Sequence, residues 1–262
     1  MMSGGAGDGA TARVQALYRY PVKGLSAESL DSVGVEADQT IPFDRAWAIE
    51  NGPGRFDPDA PRHLPKITFL MLMRDERLAT LQSRFEPEGE TLTILRAGKQ
   101  VARGQLSSKL GRQMIEQFLA AYMKESLRGA PRIVSARGHC FSDVDARCLH
   151  IVNLASVADL ERAAGRKIDP LRFRPNVVIE GLPAWAELGL ADKGFKLGSL
   201  RLEGFARTQR CAATNVDPST GARDMAIPAV LQRTWGHSDF GIYARVVEGG
   251  RLAVGDALEL GA

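Results

Sequence analysis

Hydrophobic and polar residues alternate along much of this chain with the two-residue period of a β-strand. Near its beginning, Val14, Ala16 and Tyr18 alternate with polar neighbours until Pro21 interrupts the pattern. Comparable segments occur at residues 30–37, 45–51, 91–104, 148–153, 174–181, 195–207 and 240–260. We expect a hairpin that turns near Gly98, and a strand, a turn and a strand at 240–260. The pattern predicts a mainly β protein of the α+β class, with a few covering helices.

The period changes to that of a helix between Ser107 and Lys124. Hydrophobic residues recur there at every fourth position, at Leu110, Met114, Phe118 and Tyr122. Ile115 and Leu119 widen this stripe, which predicts an amphipathic helix with its apolar face on the core. In the second half, Ser156 is a suitable N-cap for the segment VADLERAAG, which ends at Gly165. A third, short helix is predicted at AIPAVLQRTWG, residues 226–236.

The Gly-Ala-Pro sequence at 129–131 ends the longest helix and predicts a domain boundary. It divides residues 12–130 from residues 131–262. Residues 1–11 predict a flexible leader without an apolar signal core. No apolar run approaches the ~20 residues that a membrane-spanning helix requires, so we expect no membrane anchor.

Composition and charge narrow the classes of function. The formal net charge is +3 and aromatic residues make up 6% of the chain, which disfavours a nucleic-acid-binding surface. Three cysteines do not make a disulfide framework and indicate a reducing compartment, the cytoplasm. The basic residues must therefore be judged by their neighbours, one at a time.

One cysteine has unusual surroundings. Cys211 lies in the segment QRCAATNVDPSTG, after a predicted strand and before a polar turn. Arg207 and Arg210 are close in sequence, and a nearby guanidinium favours the thiolate form of a cysteine. A thiolate in that position is a nucleophile or a soft metal ligand, and the residues alone leave both open. The alternative is a buried structural thiol.

Several basic residues could form a pocket for a phosphate-bearing anion. They are Lys23, Arg45, Arg172 and Arg174. Lys23 follows a proline-stiffened turn, and Gly24 would let a ligand approach the backbone closely. Arg172 and Arg174 are expected on the same side of an extended segment, followed by Asn176. Any one of these cations, taken alone, is better explained as a solvated surface charge.

Four of these segments, in this order, resemble the MOSC-domain family, which is named for the C-terminal domain of molybdenum cofactor sulfurase. They are YRYPVKGLSAESL, FRPNVVI, QRCAATNVDPSTG and FGIYARVVEGGRLAVGDAL. The first of them and FDRAWAIE resemble the N-terminal β-barrel domain that precedes the MOSC domain in mitochondrial amidoxime-reducing components and bacterial relatives. The resemblance covers nearly the whole chain after residue 11. It implies an N-terminal β-barrel-like domain at 12–130 and a MOSC β-barrel domain at 131–262.

The resemblance also implies a molybdenum–pyranopterin cofactor (Mo-molybdopterin) whose metal is bound by Cys211. The residues expected to hold its phosphate and pterin are Lys23, Gly24, Arg45, Asn153, Ser156, Arg174, Asn176, Thr208, Arg210 and Tyr243. The chain departs from the family at two positions: Gly24 stands where serine is frequent, and Leu154 stands where relatives have an acidic residue. Pyridoxal phosphate binding is a further property associated with the family.

The activity implied is a molybdenum-dependent reduction of small N-hydroxylated compounds, with Cys211 as the catalytic residue. Electrons would come from a separate flavin or iron–sulfur reductase, because the chain has no clustered cysteines for an iron–sulfur domain. The alternative is a carrier of the cofactor or of sulfur that turns over no substrate. A third possibility is a degenerate domain that binds no cofactor.

Two further sets of residues are weaker candidates for a functional site. His139, Cys140, Cys148 and His150 form a nominal zinc set, but their spacing is not that of a chelating motif. Asp217 could act as an acid or base near the metal, yet Asp-Pro-Ser-Thr-Gly is first of all a turn sequence. We therefore predict that Asp217 caps this turn and that Gly221 adopts a positive φ.

Overall fold

The computed structural model describes residues 12–52 and 54–260; the predicted leader at 1–11 lies outside them. Strands predominate in the described residues, which confirms the mainly β class. The strands are β1 (Arg13–Arg19), β2 (Glu28–Leu30), β3 (Ser32–Val35), β4 (Ala48–Asn51), β5 (Leu81–Glu86), β6 (Thr91–Arg96), β7 (Lys99–Gln105), β8 (Pro131–Val134), β9 (Leu149–Asn153), β10 (Val177–Glu180), β11 (Gly194–Leu197), β12 (Leu200–Gln209), β13 (Asp239–Glu248), β14 (Gly250–Ala253) and β15 (Leu258–Leu260). The α-helices are α1 (Lys109–Tyr122), α2 (Leu154–Ala164) and α3 (Ile227–Trp235).

Eight strands form one curled sheet, in the spatial order β15-β11-β12-β13-β9-β10-β1-β2. Strands β9 and β10 are parallel, and β1 runs antiparallel to β10. The first strand of the chain is thus hydrogen-bonded into a sheet that consists mainly of strands from the second half. Residues that follow β1 are carried to the end of this sheet, next to residues that precede β10.

The remaining strands form three small sheets, which are β14-β3, β4-β8 and β5-β6-β7. The hairpin predicted around Gly98 is confirmed as β6 and β7, and Gly98 has a φ of 75°. Residues 240–260 form three strands instead of the two predicted, because β14 leaves β13 to pair with β3. The strands predicted at 30–37 and 45–51 exist but do not pair with each other.

Helix α1 is confirmed, but the face predicted to be buried is only partly correct. Leu110 is 70% exposed and Met114 is 50% exposed, whereas Ile115 and Leu119 are fully buried. The buried face is displaced because the helix approaches β7 through Gly111, whose added Cβ would lie 2.1 Å from the Gln105 oxygen. Backbone contact at a glycine cannot be recognised from a hydrophobic period.

Helix α2 begins earlier than predicted, so the assignment of Ser156 as its N-cap is wrong. The N-cap is Asn153, whose side chain accepts a hydrogen bond from the Ala155 N–H. Gly165 ends the helix with a φ of 69°, as predicted. The third predicted helix is confirmed as α3. None of the helices in the described part of the chain is long and apolar enough to cross a membrane.

Candidate functional site

A cavity of about 320 Å³ lies where residues from both halves of the chain meet. Nine of the residues predicted to form the site line it. They are Lys23, Gly24, Arg45, Arg174, Asn176, Thr208, Arg210, Cys211 and Tyr243. The topology explains this, since β1 brings Lys23 and β10 brings Arg174 and Asn176 to one end of the large sheet. Strand β12 contains Thr208 and ends just before Arg210 and Cys211, and Tyr243 lies in the neighbouring strand β13.

Cys211 follows the end of β12 and precedes a short 3₁₀ helix at Ala212–Asn215. Its carbonyl oxygen accepts hydrogen bonds from the Thr214 N–H (3.1 Å) and hydroxyl (2.9 Å), which fix the backbone of the turn. The side chain is half-buried and lines the cavity. Cys140 and Cys148 line it as well. Burial raises the pKa of Cys140 to about 11 and that of Cys148 to about 12, so both remain protonated thiols at neutral pH.

Arg45 and Arg174 form a fixed cationic wall around Tyr20. Their guanidinium groups lie 4.8 Å and 4.3 Å from the centre of the Tyr20 ring. Arg45 pairs with Asp44 and donates to the Arg174 carbonyl (3.2 Å), while Arg174 Nη1 donates to the Leu25 carbonyl (2.9 Å). Both arginines have positive φ, 51° and 53°, a conformation that non-glycine residues seldom adopt.

His150 links Arg174 to Arg210 and was not predicted as a site residue. Its Nδ1 lies 3.3 Å from the Arg174 carbonyl oxygen, and its Nε2 lies 3.3 Å from Arg210 Nη1. Burial and the Arg210 guanidinium hold the pKa of His150 well below its usual value, so the ring is neutral. In this state Nδ1–H donates to the carbonyl and Nε2 accepts from the guanidinium. A histidine inside an otherwise apolar strand was the sequence signal for it.

Four buried polar groups on the cavity wall have no hydrogen-bond partner within the described part of the chain. These are Arg172 Nε, Arg174 Nη2, Arg210 Nε and the Thr208 hydroxyl. Arg210 Nη2 is satisfied, since it donates to the Phe173 carbonyl at 2.8 Å. Buried polar groups are nearly always paired, so unpaired donors that converge on one cavity indicate a ligand with several acceptor atoms. An anion with acceptor oxygens meets that requirement.

Lys23 reaches the same cavity from the turn after β1. It is 7% exposed, and its Nζ donates to the Phe141 carbonyl (2.9 Å) and pairs with Asp143. Gly24 has a φ of 88°, and a Cβ there would lie 3.0 Å from the Leu70 oxygen, so a larger residue would be strained. Asp143, like His150, was not predicted as a site residue.

Arg172 was expected on an extended segment, but residues Pro170–Phe173 form a 3₁₀ helix. The Arg172 guanidinium is buried and pairs with Asp217 (3.1 Å) and Asp224 (2.9 Å), which compensate its charge. Asp217 Oδ1 also accepts from the backbone N–H groups of residues 219 and 220, and Gly221 has a φ of 73°. The prediction that Asp217 caps a turn is confirmed.

Asn153 and Ser156 are not brought to this cavity. Both are fully buried and bind the carboxylate of Glu187, with Asn153 Nδ2 at 3.1 Å and the Ser156 hydroxyl at 2.8 Å. The Ser156 oxygen also accepts from the Trp185 N–H at 2.8 Å. Asn176 does line the cavity, but its amide accepts from the His150 N–H (3.1 Å) and so joins β9 to β10.

The residues of the nominal zinc set lie in different surroundings. His139 packs against Phe56 and Phe141, with ring centres 5.3 Å and 4.7 Å away. Cys140, Cys148 and His150 instead line the cavity. Within residues 12–52 and 54–260, no three His, Cys, Asp or Glu side chains are grouped so that they could hold a metal ion.

Comparison with known proteins gives two family matches. The family described as "MOSC N-terminal beta barrel domain" matches residues 11–127, and "MOSC domain" matches residues 138–259. Mitochondrial amidoxime-reducing component 1 of Homo sapiens is 24% identical over 94% of this chain and 82% of its own length. Molybdenum cofactor sulfurase of Caenorhabditis elegans is 33% identical over 36% of this chain and 14% of its own length. The crystal structure of the YuaD protein from Bacillus subtilis aligns with 95% of this chain and 94% of that one, at 13% identity and a TM-score of 0.44.

Proposed function

Because this chain belongs to the MOSC-domain family, with a MOSC N-terminal beta barrel domain before its MOSC domain, we propose that it is a molybdenum cofactor-dependent oxidoreductase. The observation that carries the proposal is the cavity that combines Cys211 with a wall of cations and unpaired donors. Its similarity to amidoxime-reducing components supports a reductive reaction on nitrogen–oxygen compounds.

The residues of the cavity fit a molybdenum–pyranopterin cofactor. A cysteine thiolate is a soft ligand that suits a redox metal. Guanidinium groups bind phosphate oxygens in charge-assisted hydrogen bonds, and two of the unpaired donors belong to Arg174 and Arg210. We assign the metal to Cys211, and the phosphate and pterin to Lys23, Arg45, Arg174, Thr208 and Arg210, with Gly24, Asn176 and Tyr243 at the cavity wall. Asn153 and Ser156 are not part of this assignment, because both side chains bind the buried Glu187 instead.

When bound, the cofactor supplies the two-electron chemistry that removes oxygen from an N-hydroxylated substrate. The protein supplies orientation and charge. Arg174 and Arg210 would hold the anionic part of the cofactor. Neutral His150 accepts from the Arg210 guanidinium and donates to the Arg174 carbonyl, which fixes the two residues relative to each other. Tyr243 lines the cavity, and burial raises its pKa, so its hydroxyl keeps its proton and would be a hydrogen-bond donor to a substrate there.

The substrate class proposed is small N-hydroxylated compounds, and the electron donor is a separate flavin or iron–sulfur protein. Free Cys140, Cys148 and Cys211 agree with a reducing compartment such as the cytoplasm. Pyridoxal phosphate is held through a lysine amine. Of the two lysines that line the cavity, Lys23 is already bound by Phe141 and Asp143, so Lys66 is the one that this cofactor would need.

The test is turnover of benzamidoxime with a reduced viologen as artificial electron donor. The protein should be isolated from a host that makes the molybdenum cofactor. Wild type should form benzamidine, Cys211→Ala should form none, and Cys140→Ala serves as the matched cysteine control that keeps turnover. Equal turnover in wild type and Cys211→Ala would contradict the role of Cys211. A persulfide on Cys211 without any turnover would instead favour the carrier function.

A further inference from the structure

Lys23 is a cation buried at the cavity wall with one carboxylate beside it. Its Nζ donates to the Phe141 carbonyl at 2.9 Å and forms an ion pair with Asp143. The Asp143 side chain lines the same cavity and is 49% exposed. A carbonyl oxygen can accept a hydrogen bond from a neutral amine as well as from an ammonium. Asp143 is therefore the partner that favours the charged form of Lys23 over the neutral form.

The cavity offers Lys23 no second carboxylate that is free to pair with it. Among the described residues that line it, the acidic ones are Asp44 and Asp143. Asp44 already accepts from the Tyr20 N–H at 2.8 Å and pairs with Arg45. The charge of Lys23 is thus balanced by Asp143.

Most of the surroundings of Lys23 disfavour its charged form, and the Asp143 carboxylate acts in the opposite direction. Burial lowers the pKa of Lys23, Asp143 raises it, and Arg45 and Arg174 lower it further. Burial would raise the pKa of Asp143, but Lys23 and Lys66 lower it to about 2, so the carboxylate is ionised at neutral pH. The charged and titratable groups around the pair are Arg45, Lys66, Cys140, Arg174, Arg210 and Tyr243.

The loop that carries Asp143 is anchored to the fold at Phe141. The Phe141 N–H donates to the Arg45 carbonyl at 2.8 Å, and its ring packs against Phe56 and Phe69 at 4.8 Å and 5.3 Å. One short segment therefore places both acceptors of Lys23, the Phe141 carbonyl and the Asp143 carboxylate. This arrangement fixes the direction of the ammonium group as well as its charge.

We propose that Asp143 is a positioning residue that holds Lys23 as a cation at the cavity wall, ready for an anionic ligand. The role rests on the proposed function, in which Lys23 contacts the cofactor. Without the carboxylate, Lys23 keeps its carbonyl contact but faces Arg45 and Arg174 with no compensating charge. It should then lose its proton at a lower pH and bind anions less well in alkaline solution.

The first experiment measures the ionisation of Lys23 and needs no cofactor. In protein labelled with ¹³C-lysine, the Cε signal is followed by NMR as the pH rises, and the Lys23 signal is identified by its loss in Lys23→Arg. Asp143→Asn should move the midpoint at least about one pH unit lower than in wild type. The exposed Asp145 of the same loop provides the control, since Asp145→Asn should leave the midpoint unchanged. An unchanged midpoint in Asp143→Asn would overturn the proposal.

The second experiment measures retention of molybdenum and pterin after dialysis at ~pH 6 and ~pH 9, the latter chosen below the usual lysine pKa. Wild type and Asp143→Glu should retain both at either pH, whereas Asp143→Asn should lose several-fold more at the higher pH. In a Lys23→Arg background, Asp143→Asn should add no pH dependence, because arginine stays charged. An added loss in that background would mean that Asp143 does not act through Lys23. Wild type without molybdenum would count against the proposed function, and the NMR titration would still decide the role of Asp143.

Discussion

Replacing Ser156 by alanine separates a structural role of this residue from direct binding of the cofactor. The Ser156 hydroxyl donates to Glu187 and accepts from the Trp185 N–H, both at 2.8 Å, and Ser156 and Glu187 are both fully buried. Glu187 Oε1 already lacks a partner in the described structure. The variant would leave the Trp185 N–H unpaired and Glu187 Oε2 with Asn153 alone.

The expected loss of stability in Ser156→Ala follows from these two hydrogen bonds. Ser156 and Glu187 are 0% exposed, so water does not replace the lost hydroxyl without rearrangement. A buried polar group that loses its partner costs ~1–3 kcal/mol, so Ser156→Ala should lower the free energy of unfolding by about 2–4 kcal/mol. Urea unfolding followed by tryptophan fluorescence measures this directly, because Trp185 belongs to the network.

Ser199 is the matched control, since its hydroxyl also makes two hydrogen bonds, with the Arg251 carbonyl and N–H, both at 2.7 Å. Ser199 is exposed, so water can replace both, and Ser199→Ala should cost less than ~1 kcal/mol. Folded Ser156→Ala should keep the molybdenum content of wild type. Loss of molybdenum with unchanged stability would refute the structural role and restore Ser156 to the cofactor site.

Three further variants test the site. His150 should make the protein less stable as pH falls below ~6.5, by up to ~1.4 kcal/mol per pH unit, because its folded-state pKa is lowered and the unfolded chain takes up the proton first. In urea unfolding below ~pH 6.5, His150→Gln should remove this contribution to the pH dependence of stability. An unchanged pH dependence would contradict the neutral ring. Thr208→Val removes a buried, unpaired hydroxyl, so stability should stay within about 1 kcal/mol of wild type or rise, while cofactor retention falls; unaltered retention would exclude Thr208 from the ligand. Asp217→Ala should destabilise the fold by ~2–4 kcal/mol, because it removes two backbone contacts of the turn and a partner of Arg172; loss of turnover without loss of stability would point to acid–base chemistry instead.

The sequence predicted the residues of the site better than their partners. Lys23, Arg45, Arg174 and Cys211 stand in separate motifs, and the structure brings them to one cavity. Their roles as cofactor ligands remain predictions. Asp143 was missed because it pairs with a lysine 120 residues earlier in the chain, a distance at which no local pattern connects two residues.

The wrong predictions for helices α1 and α2 have the same physical origin. The face of α1 was predicted from hydrophobicity alone, but close backbone contact at Gly111 decides which residues of the helix are buried. Ser156 satisfies the composition of an N-cap, yet Glu187, 31 residues away, binds its hydroxyl. Periodicity and turn chemistry thus predicted most strands, the hairpin at Gly98 and the turn at Asp217. Strand partners and buried polar networks depend on tertiary contacts and could not be predicted in this way.

The molybdenum and pterin content of the protein from a cofactor-competent host shows whether the cavity binds the cofactor. Elemental analysis gives the metal, and fluorescence of the oxidised pterin gives the organic part. We expect roughly one of each per chain in wild type, with the metal lost from Cys211→Ala. Wild-type protein that is folded but contains neither molybdenum nor pterin would contradict this expectation.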